Sequence, residues 1–157
     1  MESLPFGDAA FDVVVSLLGL VFLGPPMLLG MLAVKLTSPG PIFYKQVRAG
    51  RFGRPFNVIK LRSMRTDAEK HGAVWSSAGK DPRSTPVGHI LRKYRIDEIP
   101  QLFNVLRGDM SFVGPRPERP VFIEELAQQI PYFQERLMVQ PGITGWAQVN
   151  YPYGSSI

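Results

Sequence analysis

A run of 22 residues, positions 13–34, contains no charged side chain. A helix needs about 20 apolar residues to cross the hydrocarbon core of a bilayer, so the run is long enough to be a membrane segment. The residues before it are acidic and no small-residue cleavage site follows, which argues against a removable signal peptide. A buried helix of a water-soluble protein is the alternative. The sequence predicts a membrane-embedded segment at 1–36 and a second domain at 37–157.

Two consecutive prolines, Pro25 and Pro26, lie at the centre of this run. Proline lacks a backbone N–H and clashes with the preceding turn, so the helix is expected to break or kink there. Each half would hold about 10–12 residues, roughly half a bilayer. Two geometries fit: a kinked span, or a re-entrant hairpin that returns to the side it entered. The charge distribution favours the span, because basic residues tend to stay on the cytoplasmic side.

The charge of the chain is strongly asymmetric. Residues 1–34 contain no Lys or Arg, whereas residues 35–119 contain 17 basic and 7 acidic residues. A region this basic predicts a polyanionic partner, such as phosphates, nucleic acid or an anionic membrane surface. No helix-turn-helix, zinc-finger or RNP-type pattern is present, so nucleic acid is not the expected partner and membrane lipid is.

The metal-binding options are limited by composition. The chain has no Cys and only two His, which excludes a thiolate site and a histidine-rich zinc site. Any metal would be held by carboxylates and phosphates, and this donor set suits Mg²⁺.

The soluble part predicts an α/β fold of the helix-rich α+β kind, with a short β-hairpin and amphipathic helices that rest at the membrane interface. For the basic helix that begins at 85, a core helix with a solvated charged face is the alternative. Thr85 followed by Pro86 is a typical helix start. The chain stops without a closing element, which is typical of a truncated C-terminus. The predicted elements are strands at 42–47 and 55–61, a helix at 64–70, a mobile loop at 71–83, helices beginning at 85 and 99, helices at 120–129 and 132–138, and a strand at 146–149.

Asp97 and Glu98 are adjacent acids in the most cation-rich stretch of the chain, before a short apolar helix predicted at 99–106. As a helix N-cap and a first-turn acid, they would only stabilise that helix. The same position would keep a carboxylate ionised, because Arg92, Arg95 and helix N–H groups lower its pKa. An ionised Asp97 is a competent nucleophile toward phosphorus, and an adjacent acid can hold Mg²⁺.

Two further groups of basic residues are candidates for substrate binding. Arg116 and Arg119 lie in a proline-stiffened loop at 114–119, and arginine suits bidentate phosphate contacts. Lys60 and Arg62 follow the second predicted strand. Solvated surface charge is the alternative for both groups.

Four segments in this order resemble one family. They are the apolar N-terminal segment with its central prolines, KLTSPGPIFYKQVRAGRFGRPFNVIKLRSM, LRKYRIDEIPQLFNVLRGDMSFVGPRPERP and QPGITGWAQVN. Over residues 8–154 the chain resembles the bacterial sugar transferases, the monotopic polyprenyl-phosphate phosphoglycosyl transferases. Four motifs in order are far more specific than any one of them.

The resemblance implies an enzyme of the bacterial inner (cytoplasmic) membrane, with its catalytic domain on the cytoplasmic face. The enzyme would transfer a sugar-1-phosphate from a UDP-sugar to a polyprenyl phosphate, usually undecaprenyl phosphate. This step would initiate assembly of exopolysaccharide, O-antigen, capsule or a related glycan. The resemblance leaves open which sugar is transferred and whether the chain forms a homo-oligomer.

The resemblance also assigns roles to single residues. Asp97 would attack the β-phosphorus, expel UMP and form a phosphosugar-aspartyl intermediate. Glu98 would help to bind Mg²⁺ or position the acceptor. The phosphate or nucleotide would be held by Lys60, Arg92 and Arg116.

The family's N-terminal segment is a re-entrant helix-break-helix, with the break at a proline, so the resemblance favours the hairpin over the span. Larger members carry several spanning helices before this domain, and members usually continue past the tryptophan-containing motif. The alternative to the enzyme is a non-catalytic module whose basic face binds anionic lipid or a partner.

Overall fold

The computed structural model describes residues 9–70, 72 and 81–150. Most of the predicted mobile loop and the last seven residues therefore lie outside the described residues. The elements in chain order are α1 (Ala9–Thr37), β1 (Phe43–Ala49), β2 (Pro55–Leu61), α2 (Pro86–Lys93), α3 (Gln101–Leu106), β3 (Ser111–Val113), α4 (Pro120–Gln129), β4 (Gly142–Thr144) and α5 (Trp146–Asn150).

Helix α1 is long and apolar enough to cross a membrane. Its buried positions fall on one face and pack against the rest of the protein: Asp12, Ser16, Met27, Gly30 and Val34. The remaining surface exposes many large apolar side chains, and a patch of this size in a folded protein marks a contact with lipid or with another protein. These exposed residues are Phe11, Val13, Val14, Leu17, Leu18, Val21, Phe22, Leu23, Leu28, Leu29, Leu32 and Leu36.

Pro25 and Pro26 lie inside α1 and do not divide it into two elements. The expected separation into two half-helices is therefore not seen. Each proline still removes one backbone donor, so the carbonyl groups one turn earlier lose their helical hydrogen bond. The backbone of α1 is consequently weakest at its centre.

Both ends of α1 contact the same folded unit. Near its start, the Asp12 carboxylate accepts hydrogen bonds from the Phe112 N–H at 2.8 Å and the Ser111 hydroxyl at 3.2 Å. Near its end, Val34 joins a core cluster with Leu61 and Leu91. A helix rises about 1.5 Å per residue, so these two contacts lie roughly 33 Å apart along α1.

The predicted hairpin is confirmed. Strands β1 and β2 pair antiparallel over seven residues, with Tyr44 opposite Lys60. Helix α3 is fixed to the other edge of β2 by Asn104, which is fully buried. The Asn104 side chain accepts from the Ile59 N–H at 3.0 Å and donates to the Asn57 carbonyl at 2.8 Å. This amide satisfies backbone groups that would otherwise be an unpaired strand edge.

Helix α2 begins as predicted. The Thr85 hydroxyl accepts from the Gly88 N–H at 2.9 Å, and Pro86 occupies the first turn. Leu91 of this helix is buried, whereas Ile90 and the C-cap residue Tyr94 are exposed.

Two local predictions were wrong. Residues 66–70 form turns instead of a helix, and Met64 pairs as a single bridge with Ser84. The region predicted as a strand at 146–149 is helix α5, while the strand lies earlier as β4 and pairs parallel with β3. This pairing depends on Gly114 and Gly142, since a Cβ at either position would lie within 2.4 Å of backbone atoms on the facing segment.

The packing of α1 can be tested at two of its glycines. A Cβ at Gly30 would lie 3.0 Å from Leu61 and 3.2 Å from Leu91, whereas a Cβ at Gly24 meets nothing within 4 Å. Gly30→Leu is expected to destabilise the protein by about 1–3 kcal/mol through overpacking. Gly24→Leu is the control for adding a leucine to α1 where no atom is met, although its place before Pro25 reduces the helix propensity that it gains. Thermal unfolding in detergent measures both, and equal melting temperatures would contradict this packing.

Candidate active site

A cleft of about 940 Å³ opens between the β-hairpin, helix α2 and the loop before α4. Its wall is rich in cationic side chains, as the basic composition of this region predicts. All seven candidate site residues line the cleft: Lys60, Arg62, Arg92, Asp97, Glu98, Arg116 and Arg119. The fold thus brings together residues that are up to 59 positions apart in the sequence.

Asp97 lies in a 3₁₀ turn, Ile96–Glu98, that precedes α3. The turn is entered through Arg95, which has a left-handed backbone with φ 57°. Such a conformation is uncommon for a residue other than glycine. It turns the chain sharply between α2 and the 3₁₀ turn and so helps to set the position of the two acids.

The expectation that Asp97 is a helix N-cap was wrong. Helix α3 begins at Gln101, its N-cap position is Pro100, and no side chain caps it. Asp97 is buried, and its Oδ1 has no hydrogen-bond partner among the described residues. Burial, together with the neighbouring Glu98 charge, raises the pKa of Asp97 instead of lowering it.

The carboxylate of Glu98, in contrast to that of Asp97, is surrounded by cations. It contacts three of them: the Lys60 ammonium at 2.7 Å, and the guanidinium groups of Arg95 at 3.2 Å and Arg116 at 3.3 Å. Burial alone would raise the pKa of Glu98, but the charges of Lys60 and Arg116 hold it well below its usual range. Burial lowers the pKa of Lys60, and the Glu98 charge opposes that change.

The other arginines line the cleft from separate segments. Arg92 donates to the Ser84 hydroxyl at 3.1 Å and lies 3.8 Å from the Asp81 carboxylate. Arg119 pairs with Glu69, which follows the hairpin in the chain. These contacts connect α2 and the loop before α4 to the wall of the cleft.

Arg62, which is predicted to bind substrate, lines the cleft and also makes structural hydrogen bonds. Its guanidinium donates to the carbonyl groups of Ser38 and Pro39 and to the Ser38 hydroxyl. It is buried, with 5% of its surface exposed. Arg62 therefore holds the end of α1 against the hairpin.

Several residues of the cleft were not predicted from the sequence. Tyr44, Gln46, Arg48 and Glu69 line the cleft as a connected hydrogen-bonded group. The alternation of Tyr44, Gln46 and Arg48 along β1 was the available signal, because alternate strand residues share one face.

The model of the bacterial sugar transferase family matches residues 5–157. The chain belongs to this family. It is 44% identical over 150 residues to the UDP-N-acetylgalactosamine-undecaprenyl-phosphate N-acetylgalactosaminephosphotransferase of Aeromonas hydrophila, covering 96% of this chain and 35% of that protein.

Two further relatives are similar. The chain is 52% identical over 126 residues to a putative undecaprenyl-phosphate N-acetylgalactosaminyl 1-phosphate transferase of Bacillus subtilis, covering 80% of this chain and 70% of that protein. It is 45% identical over 141 residues to the UDP-glucose:undecaprenyl-phosphate glucose-1-phosphate transferase of Escherichia coli, covering 90% of this chain and 30% of that protein. The chain therefore spans only about a third of the Aeromonas and Escherichia proteins.

Asp97 and Glu98 fit a magnesium ion only together with a phosphorylated ligand. No cluster of three or more His, Cys, Asp or Glu side chains occurs within the described ranges. Mg²⁺ is commonly bound by one or two carboxylates plus substrate phosphates. The unpartnered Oδ1 of buried Asp97 suits such a ligand, whereas the Glu98 carboxylate would have to exchange a cation for the metal.

The contrast between the two acids predicts opposite effects on stability. A raised pKa in the folded state means that stability falls as pH rises past the ordinary carboxyl pKa, and the loss is complete above the raised value. Asp97→Asn removes this loss, so it is expected to raise the melting temperature at about pH 7.5. The gain should shrink as the pH is lowered toward the ordinary carboxyl range.

Glu98→Gln is the matched counterpart. The lowered pKa of Glu98 contributes stability that is present above the ordinary pKa and lost as pH falls through the folded value. Removing the charge leaves Lys60 and Arg116 without their shared acid, at a cost of about 3 kcal/mol. Thermal unfolding of both variants, measured across pH, tests these two expected effects on stability. A lower melting temperature for Asp97→Asn at neutral pH would contradict the assignment.

Proposed function

We propose that this protein transfers a sugar-1-phosphate from a UDP-sugar to a polyprenyl phosphate, with undecaprenyl phosphate as the acceptor. The observation that carries the proposal is the Asp97 carboxylate, buried in a cationic cleft with an unpartnered oxygen. The names of the relatives support both substrates. The product would be the first lipid-linked sugar of an exopolysaccharide, O-antigen, capsule or related glycan.

In the first step, an oxygen of Asp97 attacks the β-phosphorus of the donor. A bond forms between that oxygen and phosphorus, and the bond from phosphorus to the bridging oxygen breaks, so its electron pair leaves with UMP. The product is a phosphosugar-aspartyl intermediate. A carboxylate with a raised pKa is more basic once ionised, which makes it a better nucleophile.

In the second step, an oxygen of the polyprenyl phosphate attacks the same phosphorus and releases Asp97. Lys60 and Arg116 lie where the diphosphate charge would be placed, and they hold Glu98 when no substrate is bound. Arg92 supplies a further guanidinium to the same wall. These preorganised cations would stabilise the charge on the transferred phosphoryl group.

Magnesium is part of this proposal. Asp97 and Glu98 would hold the ion together with the donor phosphates. Its chemistry would be to neutralise charge on the diphosphate, which assists departure of UMP.

The protein would lie at the cytoplasmic face of the bacterial inner membrane. Helix α1, although one continuous helix, would have both ends on that side, as a re-entrant element does, instead of spanning the bilayer. Support comes from Asp12 and Val34, near opposite ends of α1, which both pack on the one charged domain. A span would carry one of these contacts to the far side of the bilayer. The exposed Ile90 and Tyr94 of α2 would contact the same membrane surface, as an interfacial helix does.

Asp97→Asn is expected to abolish UMP release from UDP-sugars by membranes containing the protein, with a loss of at least about 10³-fold, since a covalent step loses its nucleophile. Asp67→Asn is the control, because Asp67 is an exposed acid with 64% of its side chain accessible. Labelled donor should leave hydroxylamine-labile label on the wild type and none on Asp97→Asn. Undiminished turnover in Asp97→Asn would refute the mechanism, and liposome binding without label would favour the non-catalytic lipid-binding module.

Topology can be tested with single cysteines, because the chain contains none of its own. Ala9→Cys and Thr37→Cys lie at the two ends of α1, and both positions are exposed. A re-entrant α1 predicts that a membrane-impermeant maleimide labels both from the cytoplasmic side in inverted vesicles and neither in intact spheroplasts. Labelling of Ala9→Cys in spheroplasts would show that α1 spans.

A further inference from the structure

Part of the cleft wall has a different chemistry from the phosphate-binding cations. Tyr44 and Gln46 are alternate residues of β1, so their side chains share one face of the hairpin. Tyr44 lies directly opposite Lys60 in the pairing of the two strands. Directly opposed residues of an antiparallel pair have Cβ atoms about 4.5–5.5 Å apart. The part of the cleft wall that Tyr44 and Gln46 form therefore begins next to the Lys60–Glu98 ion pair.

These side chains form a network centred on the Glu69 carboxylate. The Tyr44 hydroxyl donates to Glu69 Oε2 at 2.8 Å, and Gln46 Nε2 donates to Glu69 Oε1 at 3.3 Å and to the Tyr44 oxygen at 3.0 Å. Arg119 also donates to Glu69 Oε1. Arg48 Nε donates to Gln46 Oε1 at 2.9 Å, which orients the amide so that its NH₂ group faces the acid.

Hydrogen bonds hold this network in place, but its side chains remain accessible to a ligand. About 35% of the Glu69 side chain is exposed, and 36% of Tyr44. Each carboxylate oxygen can accept more than one hydrogen bond, and a single side chain donates to Oε2 among the described contacts. The wall thus presents the Glu69 carboxylate as a fixed acceptor beside the Tyr44 hydroxyl and the Gln46 amide. A hydroxylated ligand can both donate and accept hydrogen bonds there.

A phosphate is a poor ligand for this wall, because the Glu69 carboxylate would repel it. A polyol fits, since its hydroxyl groups donate to the acid and accept from neutral donors. A UDP-sugar contains two such polyols, the transferred sugar and the ribose. The sugar is attached to the phosphorus that Asp97 attacks, and this wall adjoins Lys60 beside that site. The ribose lies one phosphate further away.

We propose that Tyr44, Gln46 and Glu69 form the subsite that binds the hydroxyl groups of the transferred sugar. The inference rests on the proposed function and names the residues that determine which sugar is accepted. Arg48 and Arg119 act as positioning residues that orient Gln46 and Glu69. Arg48 also bonds the Pro117 carbonyl at 3.0 Å and the Glu118 carboxylate at 3.3 Å, so the subsite is joined to the loop that carries Arg116.

The test compares binding of UDP-sugars with binding of UDP, which lacks the sugar. The full chain in detergent is titrated with UDP-glucose, UDP-galactose, their N-acetylated counterparts and UDP. The wild type should bind at least one UDP-sugar more tightly than UDP. Tyr44→Phe and Glu69→Gln should each weaken that preference by roughly tenfold, because groups built to pair with a hydroxyl lose their partner. The affinity of both variants for UDP should remain within about twofold of the wild-type value, which would also show that their fold is intact.

Asp67→Asn is the matched control for Glu69→Gln, since it removes an acid two residues away that lies outside the cleft. Equal loss of UDP and UDP-sugar affinity would assign the wall to the nucleotide and overturn the proposal. Unchanged affinities in both variants would also overturn it, as would a wild type with no preference for any UDP-sugar. Binding is measured with Mg²⁺ chelated and without acceptor, so that Asp97 does not consume the donor. Failure of the proposed transferase activity would appear separately, as an absence of UMP release.

Discussion

The cleft is organised around one carboxylate, that of Glu98, which joins three separate parts of the chain. Lys60 comes from the hairpin, Arg95 from the turn before the acids, and Arg116 from the proline-stiffened loop. Bringing these cations together without an acid would be costly, because like charges repel in a partly buried site. Glu98 offsets that repulsion and leaves a concentrated positive surface on which a diphosphate can be placed.

Two adjacent acids of similar chemistry acquire different properties from their surroundings. Glu98 is held ionised by its cations, while Asp97 is buried with one oxygen unpartnered and a raised pKa. Pairs of titratable groups whose pKa values are separated in this way are frequent at catalytic sites. In the proposed mechanism, Glu98 organises the cations and Asp97 is the reactive acid.

Helix α1 connects this chemistry to the membrane. Its apolar surface is exposed along most of the helix, whereas its buried face joins the same core as β2, α2 and α3. Arg62, which also lines the cleft, holds the end of α1. Helix α1 packs against the 3₁₀ turn that carries Asp97. In the proposed function, this would give an acceptor whose tail lies in the bilayer a short path to Asp97.

The sequence by itself determined the membrane segment, the hairpin, the start of α2, the family and the seven cleft residues. These follow from local signals: an uncharged run, strand alternation, a Thr-Pro cap and four ordered motifs. Tertiary structure alone decided that Asp97 is not a cap, that β4 pairs with β3, and that Tyr44, Gln46 and Glu69 share one wall. Such features depend on contacts between distant segments. Desolvation by packing raises the pKa of Asp97. The close approach of Gly114 to Gly142 selects a strand that local propensity does not indicate.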